Sequence, residues 1–238
     1  MGNVDGYALY LPLSHGQREE PYPLLVFLQG AFGVGGPVSD LDNWGLLRLV
    51  RDESDLSIER NRLLLDEFVI VAPHIREGQY HDSPEAMRAI LDEMESEYGT
   101  DPQRVLVTGL SRGGHGSWGL GAELAERVAA IAPVGGGPWH VEDKSPLIDT
   151  AIWIAHNGRD HAVAIAEVER AIAELEAMRG EEFLRSDPIA VSATDFLERP
   201  LVFTSFADGG HDAWTDLYTR PAFYRWLLRQ SLAQPSEH

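Results

Sequence analysis

Three residue types in a fixed order carry the chemistry this chain can do: a serine, then an aspartate, then a histidine. Ser111 sits in Gly109-Leu110-Ser111-Arg112-Gly113, directly after the apolar run RVLVTGL and directly before a helical pattern. A serine on such a strand-to-helix turn is held in a strained backbone conformation with its hydroxyl above the sheet, and glycines two positions either side remove side chains that would collide there. The helix N-terminus favours the negative charge that develops in acyl transfer. An ordinary glycine-rich turn shares the five-residue pattern, but not the strand before it together with the helix after it.

A serine hydroxyl is a weak nucleophile until a base takes its proton, so a histidine is required on a later loop. Nine histidines are present. His211, in Ala-Asp-Gly-Gly-His-Asp-Ala-Trp between the last apolar run and the final helical pattern, has flexible neighbours and the right place in the chain. His115 lies one turn into the helix after Ser111, His74 and His140 read as pocket-lining or surface residues, and His15, His81 and His238 have no suitable context. The imidazole needs a carboxylate on its other nitrogen to fix the tautomer. Asp160 follows AIWIAH and gives the order Ser, Asp, His; Asp208 and Asp212 flank His211, but near neighbours seldom reach the same ring nitrogen. Backbone amides can hold the oxyanion. The amide of Arg112 is one candidate, and the second comes from the loop after LLVFLQG, with Ala31 favoured over Gly30. That loop, GAFGVGG, lacks the register of a dinucleotide-binding GxGxxG, and no acid follows the next strand.

These residues require a scaffold. Short apolar runs bounded by Gly or Pro alternate with helical patterns, the signature of an α/β fold with a mainly parallel central sheet of about seven or eight strands and helices on both faces. Strands are expected at Tyr7–Leu11, Leu24–Gln29, Phe68–Pro73, Arg104–Leu110, Val128–Val134, Ala151–His156 and Leu201–Phe206. Helices are expected at Leu41–Val50, Ser57–Leu65, Pro84–Tyr98, Arg112–Arg127, Ala162–Met178 and Trp214–Gln230, with Ser83 as N-cap before Pro84. Ligands bind outside the carboxyl ends of such strands, which brings Gly30–Pro37, His74–Tyr80, Ser111–Gly114, Gly135–His140, Asn157–His161 and Ala207–Trp214 to one edge. Gly180–Pro200 precedes a strand and is expected on the far side, as a structural or oligomer-forming insertion; a homo-oligomer is therefore an open expectation. The absence of a repeat or a long linker points to one domain over residues 1–238.

The formal charge of −19 excludes nucleic acid as an expected partner, since no cluster of Lys and Arg is present to meet phosphates. Lys144 is the only lysine. A GC-rich genome and a salt-adapted, acidic surface account for that equally well. There is no cysteine, hence no disulfide or thiolate metal site, and no HExxH or comparable ligand spacing, so no metal and no cofactor are expected. No leader is legible at the N-terminus and no apolar run reaches the roughly 20 residues of a membrane span, which points to a cytoplasmic protein with no membrane partner. Phe32, Tyr80, Trp139 and Trp214 are candidates for an aromatic substrate wall, against plain core packing.

The chain resembles, over most of its length, the compact bacterial α/β-hydrolases known as esterases, polyhydroxybutyrate-depolymerase-like proteins and predicted peptidases, with relatives among feruloyl esterases. The resemblance rests on YLP, PLLVFLQG, FVIVAP, RVLVTGLSRGGHGSW, a glycine-rich turn after IAPV, an HxxxD-like segment at His156–Asp160, and GGHDAWTDLYTRPAFYRWLL. It implies the α/β-hydrolase fold, Ser111, Asp160 and His211 as triad, and a small-molecule ester as substrate. The chain departs from that group in two places: Gln29-Gly30 replaces the usual His-Gly, and Arg112 stands where Met is common. The shortness of Gly135–Asp149 implies a minimal lid or none. Short-chain or aryl esters are the expected substrates; an amide-cleaving enzyme with the same triad, and a non-catalytic binder that keeps the pocket, are the alternatives.

Overall fold

A computed structural model describes residues 3–186, 195–206 and 209–232. Eight strands form one sheet in the order β1-β3-β2-β4-β5-β6-β8-β7. They are β1 (Val4–Tyr10), β2 (Tyr22–Leu28), β3 (Val69–Ile75), β4 (Thr100–Leu110), β5 (Val128–Val134), β6 (Ala151–Asn157), β7 (Leu184–Ser186) and β8 (Leu201–Phe206). Only β1 runs antiparallel, against β3; the other neighbours are parallel.

Side chains on a strand alternate between faces, and both faces here are covered, so β2, β3, β5 and β6 are buried at every position and mostly apolar. Leu25 and Phe27 of β2 enter one core, where they meet α1 (Gly45–Asp52), α2 (Glu59–Asp66), α6 (Trp214–Tyr218) and α7 (Pro221–Leu227). Leu24, Val26 and Leu28 enter the other, under α3 (Pro84–Tyr98), α4 (Arg112–Glu123) and α5 (Ile165–Arg179). Trp153 on β6 anchors the first core, packed edge-on against Phe196, Phe223 and Trp226.

The observed elements differ from the sequence reading where local pattern competes with tertiary contact. The run Trp214–Gln230 is two helices, because Pro221 has no N–H to give and holds Arg220 extended. Residues Val38–Asn43 form a 3-10 turn, and α1 starts only at Gly45. Ser83 does cap α3 in position, but its hydroxyl accepts the Asn3 amide (2.9 Å) instead of a helix amide. Within Gly180–Pro200, residues 184–186 add the edge strand β7, parallel to β8, with Ser186 level with Thr204. The segment therefore enters the sheet and does not stay on the far side as expected; residues 187–194 lie outside the described residues. Between β5 and β6 the only helical feature is the turn Ser145–Leu147, held down by Lys144, whose ammonium meets Glu174 at 2.8 Å. No helix among the described residues is long and apolar enough to cross a membrane.

Candidate active site

Ser111 has φ 53° and ψ −112°, a conformation that side-chain-bearing residues avoid and that costs on the order of 1–3 kcal/mol. Its surroundings enforce this. A Cβ on Gly113 would lie 1.8 Å from the Leu28 carbonyl oxygen, and one on Gly109 would lie 2.5 Å from the Gly113 carbonyl oxygen, so the turn can wedge against β2 only if both stay glycine. The Ser111 amide donates to Val134 (2.9 Å) and its carbonyl accepts from His115 (3.0 Å), so the serine is fixed from the neighbouring strand and from its own helix.

His211 Nε2 lies 2.8 Å from Ser111 Oγ, and its Nδ1 lies 2.7 Å from Asp160 Oδ2. The structure thus brings together all three residues chosen from the sequence. Asp160 accepts two further bonds on Oδ1, from the amides of Ala162 (2.8 Å) and Val163 (3.0 Å), and its side chain is fully buried. Burial is the largest single influence and pushes its pKa up. The bonds from His211, Val163 and Ala162 outweigh it and hold the carboxyl below its usual range, so the group is anionic at neutral pH. Asp212, the neighbouring rival, is turned into α6, where it accepts from the Thr215 amide and hydroxyl; Asp208 lies outside the described residues, as does His238.

His211 sits on a loop, and tethers from other elements hold that loop. Asn157, at the end of β6, donates to the Gly210 carbonyl at 2.6 Å. Trp214 meets the His211 ring edge-on, with centroids 5.3 Å apart. His156 is fully buried beneath this arrangement, its Nε2 2.9 Å from the Val163 carbonyl and 3.4 Å from Asp160 Oδ2. Burial depresses the pKa of His156, and that of His115, although hydrogen bonds to the Val163 and Gly137 carbonyls work against it.

Ala31 is the first residue of a short 3-10 turn and Arg112 the first of α4, so both amides are at helix starts where N–H groups have no intrahelical partner. The two turns touch: a Cβ on Gly30 would lie 2.6 Å from Leu110 Cδ1 and 3.7 Å from Ser111 Cβ. Gln29, which replaces histidine in the resemblance, is buried and donates its side-chain amide to the Leu41 carbonyl, tying the end of β2 to the 3-10 turn Val38–Asn43. The Arg112 guanidinium donates to the Gly78 carbonyl (3.0 Å) and so braces the loop after β3.

A small pocket of about 80 Å3 opens beside Ser111 and His211, under Phe32, Trp44 and Trp214. None of its lining residues is an acid, an arginine or a lysine. Phe32 and Trp214 lie where the sequence placed them; Tyr80 and Trp139 do not. Tyr80 is buried, with its hydroxyl donating to the Gln29 carbonyl at 3.2 Å, so it supports the loop after β2 from below. Trp139 stacks on His115 with centroids 3.8 Å apart and donates to Glu167 at 2.6 Å, which holds it out of this wall. His74 is buried against Asp5 at the β1–β3 pair. Trp44 and Asn157 were not singled out from the sequence, and Gln29 was noted only as a departure from His-Gly, because the contact each makes exists only after folding. Among the described residues no cluster of three or more His, Asp or Glu groups is placed to hold a metal ion.

No protein-family model and no curated protein sequence matches the chain. Solved structures do. A thermostable esterase aligns with a TM-score of 0.74 at 22% identity, over 97% of this chain and 63% of its own. A feruloyl esterase module from Clostridium thermocellum, complexed with sinapinate, aligns with a TM-score of 0.70 at 14% identity, over 100% of this chain and 90% of its own. A putative dipeptidyl aminopeptidase IV from Bacteroides ovatus aligns with a TM-score of 0.61 at 11% identity, over 97% of this chain and 35% of its own. The chain thus spans less than two thirds of the length of the thermostable esterase. It has the α/β-hydrolase fold.

Proposed function

We propose that the protein is a serine carboxylic-ester hydrolase that turns over short-chain or aryl esters of small molecules through an acyl-enzyme. The observation that carries this reading is the unbroken chain of contacts Ser111–His211–Asp160, at 2.8 and 2.7 Å, on a strained serine at a helix N-terminus. His211 takes the Ser111 proton as the oxygen attacks the ester carbonyl. Asp160 stabilises the imidazolium so formed and keeps its Nδ1–H pointed inward. The amides of Ala31 and Arg112 hold the oxyanion. His211 then returns the proton to the leaving alcohol, and a water molecule, activated by the same imidazole, releases the acid. No cofactor enters the sequence of steps, and the small uncharged pocket suits a short, neutral acyl group. A cytoplasmic setting completes the reading and agrees with the absence of cysteine.

Replacing Ser111 by Ala should lower kcat on p-nitrophenyl acetate by about 10^5-fold or more while leaving the unfolding midpoint unchanged, and should abolish labelling by a fluorophosphonate probe. Retained turnover in that variant refutes the assignment. A peptidase of the same fold is the second reading, favoured by the likeness to the putative dipeptidyl aminopeptidase. Aminoacyl anilides cleaved faster than matched esters would favour it.

A further inference from the structure

Trp44 borders two cavities. On one side lies the pocket of about 80 Å3 that holds Ser111 and His211. On the other lies a groove of about 360 Å3 between α1 and α6, walled by Arg48, Leu49 and Asp52 from α1 and by Tyr218 from α6, with Glu53 and Asp212 at its charged edges. Trp44 and Trp214 are the only residues that line both, so their rings are the partition between them.

The two rings are held differently. Trp214 leans on the imidazole of His211 and cannot move without disturbing the base. Trp44 precedes α1 in extended backbone, is 48% exposed, and stacks only loosely on Phe32, itself 84% exposed, with centroids 5.6 Å apart and planes at 24°. Such an indole adds little to the core, and its removal opens space without unmaking the fold.

The small pocket cannot take an aryl leaving group as well as the acyl chain. Pockets that receive drug-sized ligands measure about 300–1,000 Å3. An aryl alcohol therefore stays on the open side, and the enclosed pocket takes the acyl group.

We propose that Trp44 is a specificity-determining residue that limits acyl length by closing the catalytic pocket off from the groove between α1 and α6. The inference rests on the ester-hydrolase reading above. In the wild type an acyl chain of a few carbons fills the pocket and a longer one meets the indole. Without the indole, a longer chain continues along the half-buried Leu49 into that groove.

The test uses p-nitrophenyl esters from acetate to octanoate, on the wild type, Trp44→Ala and Trp44→Phe. The octanoate-to-acetate ratio of kcat/KM should rise at least about tenfold in Trp44→Ala, mostly through KM, and by less in Trp44→Phe. A parallel series of acetate esters with phenol and naphthol as alcohols should show no such change. An unchanged acyl profile in a Trp44→Ala protein of normal circular dichroism overturns the proposal, and so does a shift confined to the alcohol series. Binding of the same esters to Ser111→Ala, with and without Trp44→Ala, separates the two readings. If the wild type cleaves no ester, the hydrolase assignment falls. The gate then stands if octanoate binding tightens on loss of the indole, and falls if it does not.

Discussion

The serine and the histidine of this site are held in place by different means. Ser111 is gripped by its own backbone: the residues that force its φ of 53° are Gly109 and Gly113, two positions away, and the atoms they approach belong to the backbone of β2 and α4. His211 is gripped by side chains from elsewhere: Asn157 on β6 at Gly210, Asp160 at Nδ1, and Trp214 against the ring. A side chain set by steric exclusion has nowhere else to go, whereas one set by hydrogen bonds can be loosened without disturbing the sheet. Positioning of the serine is therefore inseparable from the fold; positioning of the histidine is not.

The strongest blow to the serine side is Gly113→Ala. The new methyl would overlap the Leu28 carbonyl, which is backbone of a central strand and cannot rotate away, so the variant should lose at least about 3 kcal/mol of stability. A urea midpoint within error of the wild type would show that the turn at Ser111 yields more readily than its packing implies. On the histidine side, Asn157→Ala removes the tie to Gly210, whose carbonyl lies in an exposed residue and can turn to water, for about 1 kcal/mol. Its larger effect should be catalytic: kcat down about tenfold or more with KM nearly constant, because a misplaced imidazole weakens proton transfer more than ester binding. Equal damage to stability and none to kcat would remove the contrast between the two sides.

The smallest effect is one of pH. His115 on α4 and His156 beneath Asp160 are both buried with pKa values below their ordinary value, so in the folded protein they bind protons less readily than in the unfolded chain. Their contribution to stability is complete above the unfolded value of about 6.5 and is lost as pH falls through the lower folded values. The depressed pKa of Asp160 acts with the same sign in a lower window, below about pH 3.9. Urea midpoints should therefore fall between pH 7 and pH 5, and His115→Gln and His156→Gln should each flatten part of that slope. A flat profile in the wild type would mean that neither histidine is held neutral.

The fold was largely legible because burial on both faces writes itself into the chain as apolar runs. The expected β5 and β8 coincide with the observed strands, and the expected α3 with the observed helix. The edge strand β7 carries no such run, since LRS is a strand only through its pairing with β8. Tyr80 and Trp44 reverse each other's roles for a related reason. One follows β3 in the expected place yet folds under the loop after β2, and the other, at the start of a helix, ends up at the pocket mouth. Exposure of an aromatic residue depends on which loop closes over which, and no local pattern records that.

Local sequence determined what can be imposed by steric exclusion and periodicity within a few residues: the alternation of strands and helices, and the glycines that bend the chain at Ser111. Tertiary structure alone decided the distances of 2.8 and 2.7 Å that join residues 111, 211 and 160, the tether from Asn157, and the indole that divides two cavities. Those contacts span about 50 to 100 positions of chain. They exist because packing the sheet brings its carboxyl-edge loops together, a convergence that no short segment encodes.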